Sequence, residues 1–156
     1  SIAMVHETLS YSLVEAVAFD DVCDKILDMV GDLAASHGTV RARREGSFGV
    51  IPADMATSLS MVVTELCQNA VEHGLGSSSG SVDVLPRRDG TTLTVEIRDG
   101  GAGLPEGFKI EGRKSLGLSI ISTLIGDLNG TRTLRNREDA QGAVATIVLP
   151  LPAGAS

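Results

Sequence analysis

The apolar positions of the chain follow two periods, and the switches between them mark out its elements. From Asp20, the residues Val22, Ile26, Met29, Val30 and Leu33 recur at helical spacing, with Asp20 and Asp21 placed to cap the start and His37-Gly38 to end it. TVRARRE then alternates as an edge strand whose Arg41, Arg43 and Arg44 are expected in solvent, and Phe48, Val50 and Ile51 lead to Pro52. The stretch TSLSMVVTELCQNAVEHGLG, Thr57 to Gly76, predicts a second helix with Leu59, Val62, Val63, Leu66 and Ala70 on one face and Gly74 as its stop. After the connector GLGSSSG, the runs SVDVLPR and TTLTVEIRD alternate around the turn Arg88-Asp89-Gly90, a hairpin pattern. In the second run Leu93, Val95 and Ile97 point one way and Thr92, Thr94, Glu96 and Arg98 the other. SLGLSIISTLIGDLNG is a third helix, apolar at Leu118, Ile121, Leu124, Ile125 and Leu128 and closed by Asn129-Gly130. TRTLRN and GAVATIVLP form a second hairpin across a turn from Arg137 to Gly142.

The order helix, strand, helix, hairpin, helix, hairpin predicts an α/β (α+β) fold. It is a two-layer sandwich in which a mixed, mostly antiparallel sheet is covered by helices on one face. Residues 1–19 read as a helix end and linker, 20–150 as one domain, and 151–156 as a disordered end.

One part of the pattern is not explained by packing. Glu65, Asn69 and His73 recur every fourth residue and stack on one side of a helix whose other positions are largely apolar. A carboxylate, an amide and an imidazole are costly there unless something satisfies them, and a hydrated metal ion carrying phosphates would do so.

Composition narrows the partners. The formal net charge is −7, which argues against nucleic acid or an anionic membrane surface; aromatic residues are 3% of the chain, too few for base-stacking platforms. An acidic protein that binds a polyanion needs a cation, local basic side chains and oriented amides. No apolar run reaches the roughly 18 to 20 residues of a membrane span, and no secretory pattern opens the chain. Cys23 and Cys67 lie in helical patterns without the spacing of a disulfide scaffold, so a reducing cytoplasm is expected.

Two further stretches carry chemistry. DGGAG, Asp99 to Gly103, follows a strand directly and lets the backbone turn sharply and approach a ligand. It has neither the G-x-G-x-x-G spacing of a dinucleotide site nor the G-x-x-x-x-G-K-[ST] of a phosphate loop. Alone, a simple turn accounts for it. Asp99 is placed to accept a hydrogen bond from an exocyclic amine such as adenine's. In SLGL, Ser115 can cap the third helix, and the free amides of Leu116, Gly117 and Leu118 would make an anion site beside Arg113 and Lys114. Alone, an ordinary capped helix accounts for that too.

As an ordered set, E-x-x-x-N-A-x-x-H, D-x-G-x-G and a glycine at a helix start are specific. Here the chain resembles the ATP-binding catalytic domain of sensor histidine kinases, in the GHKL superfamily with gyrase, Hsp90 and MutL (the Bergerat fold). ELCQNAVEH resembles its N box, DGGAG its first glycine box, SLGL a shortened second one, and GAVATIVLP its closing strand. The resemblance covers about residues 20 to 150. MVHETL near the start resembles the HWE-like branch, most of all the soluble actinobacterial kinases of the PdtaS type, where this segment ends the dimerisation helix. By that comparison His6 is not the phosphoacceptor, which lies upstream, and the chain by itself does not autophosphorylate.

The resemblance implies ATP bound between the Thr57–Gly74 helix, the Asp99 loop and the start of the Ser115 helix. It implies Asn69 as a ligand to Mg²⁺, Glu65 as the base or the group orienting a metal-bound water, and His73 toward phosphate or ribose. Asp99 would read the adenine amine with Gly101 and Gly103 permitting close approach, and Thr146 would assist through a shared water. Residues 104–114 would be a lid with Lys109, Arg113 and Lys114 near the triphosphate, followed by the Ser115, Leu116, Gly117, Leu118 cradle. The implied partners are an upstream dimerisation and phosphoacceptor domain, a second copy in the full-length protein, and a response regulator. The second glycine box departs from many relatives in having one glycine, which bears on lid closure. Two alternatives stand beside this: an anti-sigma-factor type of serine kinase, disfavoured by MVHETL, and a non-catalytic regulatory module, disfavoured by Glu65, Asn69 and Asp99. A gyrase- or MutL-like activity would need a further transducer domain.

Overall fold

The computed structural model describes residues 16–34, 40–75, 80–100, 116–138 and 142–152, without the side chains of 33–34, 73–75 and 116–119. The elements in chain order are β1 (Ala16–Ala18), α1 (Phe19–Ala34), β2 (Val40–Arg44), β3 (Val50–Pro52), α2 (Ala53–Asn69) running into a π-helical turn (Ala70–Leu75), β4 (Gly80–Asp89), β5 (Thr92–Asp99), α3 (Leu116–Asp127), β6 (Thr131–Asn136) and β7 (Ala143–Pro150). Five strands form one sheet in the order β2-β4-β5-β7-β6, with β2 parallel to β4 and every other pair antiparallel. The parallel pair needs a crossover, and α2 lies within it. The two-layer sandwich with a mostly antiparallel sheet is therefore as the pattern predicts.

Strand alternation gives the sheet two unlike faces. Val82, Val84, Leu93, Val95, Ile97, Ile147 and Leu149 are buried on the helix side. On the other side a row crosses all five strands in register, Arg43 to Asp83 to Arg98 to Val144 to Arg135. Arg43 pairs with Asp83 at 3.4 Å and Arg98 with Glu96 at 2.7 Å.

The helices meet the sheet through apolar stripes. α2 buries Ala56, Leu59, Val62, Val63 and Cys67. α1 buries Phe19, Cys23, Ile26, Leu27 and Val30. That stripe is rotated from the expected one: Met29 is 41% exposed and Leu27 takes the inward place. Asp20 and Asp21 sit inside the first turn rather than before it. Asp20 instead accepts from the Phe48 amide and the Ser47 hydroxyl, both at 2.7 Å, pinning the loop between β2 and β3. Arg44 does not stand in solvent either; its Nε and Nη2 grip Asp24 at 2.8 and 3.1 Å, tying β2 to α1.

Two expected boundaries move. α2 begins at Ala53 directly after Pro52, and Ala16–Ala18 is a strand paired with Val50–Pro52 rather than linker; the expected stop of α1 at His37-Gly38 lies outside the described residues. Phe19 is fully buried, and Leu151 is buried with its amide donating to the Thr91 carbonyl at 2.6 Å. The core thus takes in one residue beyond each end of 20–150; residues 153–156 lie outside the described ones. No helix among the described residues is long and apolar enough to cross a membrane.

Candidate functional site

The site is built where α2, its π-turn and the end of β5 come together. α2 forms because Ala53 to Asn69 keeps an apolar stripe over almost five turns, and Pro52 suits a helix entrance. Glu65 and Asn69 are half-buried on the flank of that stripe. Among the described residues neither side chain has a hydrogen-bond partner. Half-buried polar groups left open in this way are what a ligand would satisfy.

Gly74 does not stop an α-helix. Past Asn69 the backbone widens into the π-turn, whose Ala70 joins the core and which packs against β4 and β5. Such wider i→i+5 turns are uncommon and concentrate at functional sites. An α-turn carries residue i+4 about 40° past its predecessor, whereas the wider turn brings residue 73 back short of a full revolution. His73 therefore has its backbone in the π-turn, not on a straight continuation of the Glu65–Asn69 line.

Asp99 closes β5 on the helix face of the sheet, opposite Val82, and is 5% exposed in an otherwise apolar core. Its Oδ1 accepts from the Ala143 amide at 3.2 Å, and its backbone carbonyl accepts from Arg137 Nη1 at 3.2 Å. The next residue, Gly100, is exposed and donates to the Ser81 carbonyl at 3.2 Å. A buried carboxylate at a strand end, held on one side and beginning a glycine-rich stretch, is suited to accept from an amine brought in by a ligand.

Gly101, Gly103, Arg113, Lys114 and Ser115, with the whole lid segment, lie outside the described residues, as does His6. The backbone of Leu116, Gly117 and Leu118 forms the first turn of α3, with the helix beginning one residue after Ser115. That is where unpaired helix amides are found. α3 packs beside α2.

Thr146 must be reassigned. It stands in register with Glu96 and Thr133, between Ala145 and Ile147, whose neighbours Ile97 and Val95 face the helices. Alternation puts Thr146 on the opposite face of the sheet from Asp99, so a water shared by the two is excluded. The position on β7 that does meet Asp99 is Ala143, through its amide. Arg137 and Ala143 were not foreseen; a weak signal was the Arg137–Gly142 turn, which returns the chain beside Asp99.

A small cavity lies under α2 and α3, lined by Leu66, Ile121, Leu134 and Ile147 among others. It is about one water in size and cannot receive a nucleotide. Among the described residues no group of three or more His, Cys, Asp or Glu side chains could hold a metal by itself. Asn69 offers one hard oxygen, which fits an ion that keeps several waters and takes most other ligands from phosphates.

Residues 54–153 match the family described as histidine kinase-, DNA gyrase B-, and HSP90-like ATPase. Sensor histidine kinase PdtaS of Mycobacterium tuberculosis is 42% identical over 99% of the chain, and the Mycolicibacterium smegmatis protein of the same name is 40% identical over 99%. The chain spans about a third (31%) of the length of these relatives. The catalytic domain of histidine kinase ThkA superposes with a TM-score of 0.74 at 22% identity, covering 88% of this chain and 96% of that one. Full-length ShkA, solved in complex with AMPPNP, gives 0.74 at 20% identity over 90% of this chain and 31% of its own. At these identities the two structures speak to the fold. The chain belongs to the histidine kinase-, DNA gyrase B-, and HSP90-like ATPase family.

Proposed function

We propose that this domain binds Mg-ATP and transfers the γ-phosphoryl group to a histidine on a dimerisation domain of the same protein, from which a response regulator would receive it. The observation that carries this reading is Asp99: a buried carboxylate at the end of β5, opening the glycine stretch, and held through Oδ1 on the helix side of the sheet. The length-wide identity to sensor histidine kinases favours a histidine acceptor over a serine one. The AMPPNP complex of ShkA supports a nucleotide in the fold.

In this reading Asp99 accepts a hydrogen bond from the adenine amine, and Gly101 and Gly103 let the backbone come close. The α3 amides of Leu116, Gly117 and Leu118, capped by Ser115 and helped by Arg113 and Lys114, hold phosphate. Asn69 would hold a magnesium ion, which when bound neutralises phosphate charge. His73 contacts phosphate or ribose from the π-turn. Glu65 takes the proton that the attacking imidazole gives up as its nitrogen bonds to phosphorus and the ADP oxygen leaves. Phosphoryl transfer is chiefly positioning and charge neutralisation, which is why one base and a set of oriented donors suffice. Two free, buried cysteines suit a reducing compartment, so we place the domain in the cytoplasm.

Calorimetry tests the core of this. ADP with magnesium should bind at one site per chain, and Asp99→Asn should remove most of the affinity. Undiminished binding in that variant overturns the assignment.

A further inference from the structure

The turn between β6 and β7 is fastened to Asp99 at three points. Arg137 Nη1 donates to the Asp99 carbonyl and the Ala143 amide donates to Oδ1, each at 3.2 Å. Gly142 lies against the same residue at φ +132, and a Cβ there would overlap the Asp99 carbonyl oxygen, so the backbones touch where only glycine fits. The turn is also closed on itself, because the Arg137 amide donates to the Gly142 carbonyl at 2.9 Å. One guanidinium thus fixes the peptide of Asp99 while the far side of the same turn fixes one carboxylate oxygen.

Resting on the reading of Asp99 as the adenine-contacting group, we propose that Arg137 is a positioning residue for that carboxylate. Through it the β6–β7 turn sets the preference for a base bearing an exocyclic amine over one bearing a carbonyl at that position. The Ala143 amide holds the carboxylate at Oδ1. A hydrogen bond weakens steeply with angle, so its worth depends on how firmly the carboxylate is aimed. A base with a carbonyl at that position presents an acceptor where the amine presents a donor, and a site aimed at that donor disfavours the analogue lacking it there. Loosening the aim costs the amine base and leaves the carbonyl base as it was. A general loss of structure weakens both alike.

Binding of ADP and of inosine diphosphate, each with magnesium, should be measured by calorimetry on the unchanged chain, Arg137→Ala, Arg137→Lys and Asp99→Asn, with thermal melts run alongside. Arg137→Ala should lose about tenfold in ADP affinity, equal to about 1.4 kcal/mol, with inosine diphosphate unchanged. Arg137→Lys, which keeps a charged donor, should recover part of the ratio. If Arg137→Ala does not fold, Arg137→Gln carries the same comparison and should show a smaller fall. An unchanged ADP to inosine diphosphate ratio, with Asp99→Asn still abolishing ADP binding, overturns this inference and leaves Asp99 in place. ADP binding that survives Asp99→Asn overturns the underlying reading instead.

Discussion

Glu65 and Asp99 are both carboxylates in this site, and their surroundings give them different tasks. Asp99 is buried and tethered through Oδ1, which suits the fixed acceptor of the proposed reading. Glu65 is half-buried on α2 with no partner among the described residues, so it is open to exchange a proton. Glu65→Gln keeps the size and one acceptor oxygen but not the base. In a chain extended to include the acceptor histidine, nucleotide affinity should be preserved while phosphoryl transfer slows by about 10²- to 10⁴-fold. Equal rates in the two proteins would remove Glu65 from that role. Asp99 was legible in the sequence because a strand followed at once by glycines puts its last side chain at a loop mouth. Its holders were not, since Arg137 and Ala143 stand 38 and 44 residues further along the chain. Thr146 was misplaced for a related reason: AVATIVLP is small or apolar at nearly every position, so the run does not say which parity faces the helices. The pairing of Ile147 with Val95 says so.

At the level of elements, α2 is both the central helix of the core and the carrier of the polar stripe. Leu59 is 1% exposed against the sheet while Met61, two residues on, is 50% exposed. Leu59→Ala should lower unfolding free energy by about 2–5 kcal/mol, and Met61→Ala should stay within about 0.5 kcal/mol, both read from denaturant midpoints. Similar losses at the two positions would contradict the orientation of α2. The apolar period located this helix correctly, because a stripe that must be buried leaves its mark every third or fourth residue. Its ending was hidden. Gly74 resembles a helix stop, yet whether a backbone closes or widens there depends on what the turn packs against, and that is β4 and β5. The three-residue β1 was hidden as well, since so short a strand exists only through its pairing with β3.

Across the whole molecule, one buried cluster joins the helices to the sheet, and both cysteines belong to it. Burial pushes the thiols of Cys23 and Cys67 up to about 12. An unfolded chain releases those protons from about pH 8.5. Between the two values the folded state binds more protons than the unfolded one, so this contribution is complete below about pH 8.5 and is lost as pH rises toward 12. The loss is up to about 1.4 kcal/mol per pH unit for each thiol. Denaturant midpoints should fall between pH 8.5 and 10.5, and a Cys23→Ala, Cys67→Ala double variant should flatten that fall. An equally steep decline in the double variant would place its origin elsewhere.

The sequence alone determined the layers, the helix that carries the site, and the set of motifs that fixes the family. These rest on local periods and short spacings, which the backbone geometry of helices and strands imposes residue by residue. Only the tertiary structure decided which face each residue of β7 presents, how α2 gives way to the π-turn, and that Arg137, Gly142 and Ala143 hold Asp99. Each of those depends on register between segments far apart in the chain, and register is set by burial of the whole sheet rather than by any one stretch of it.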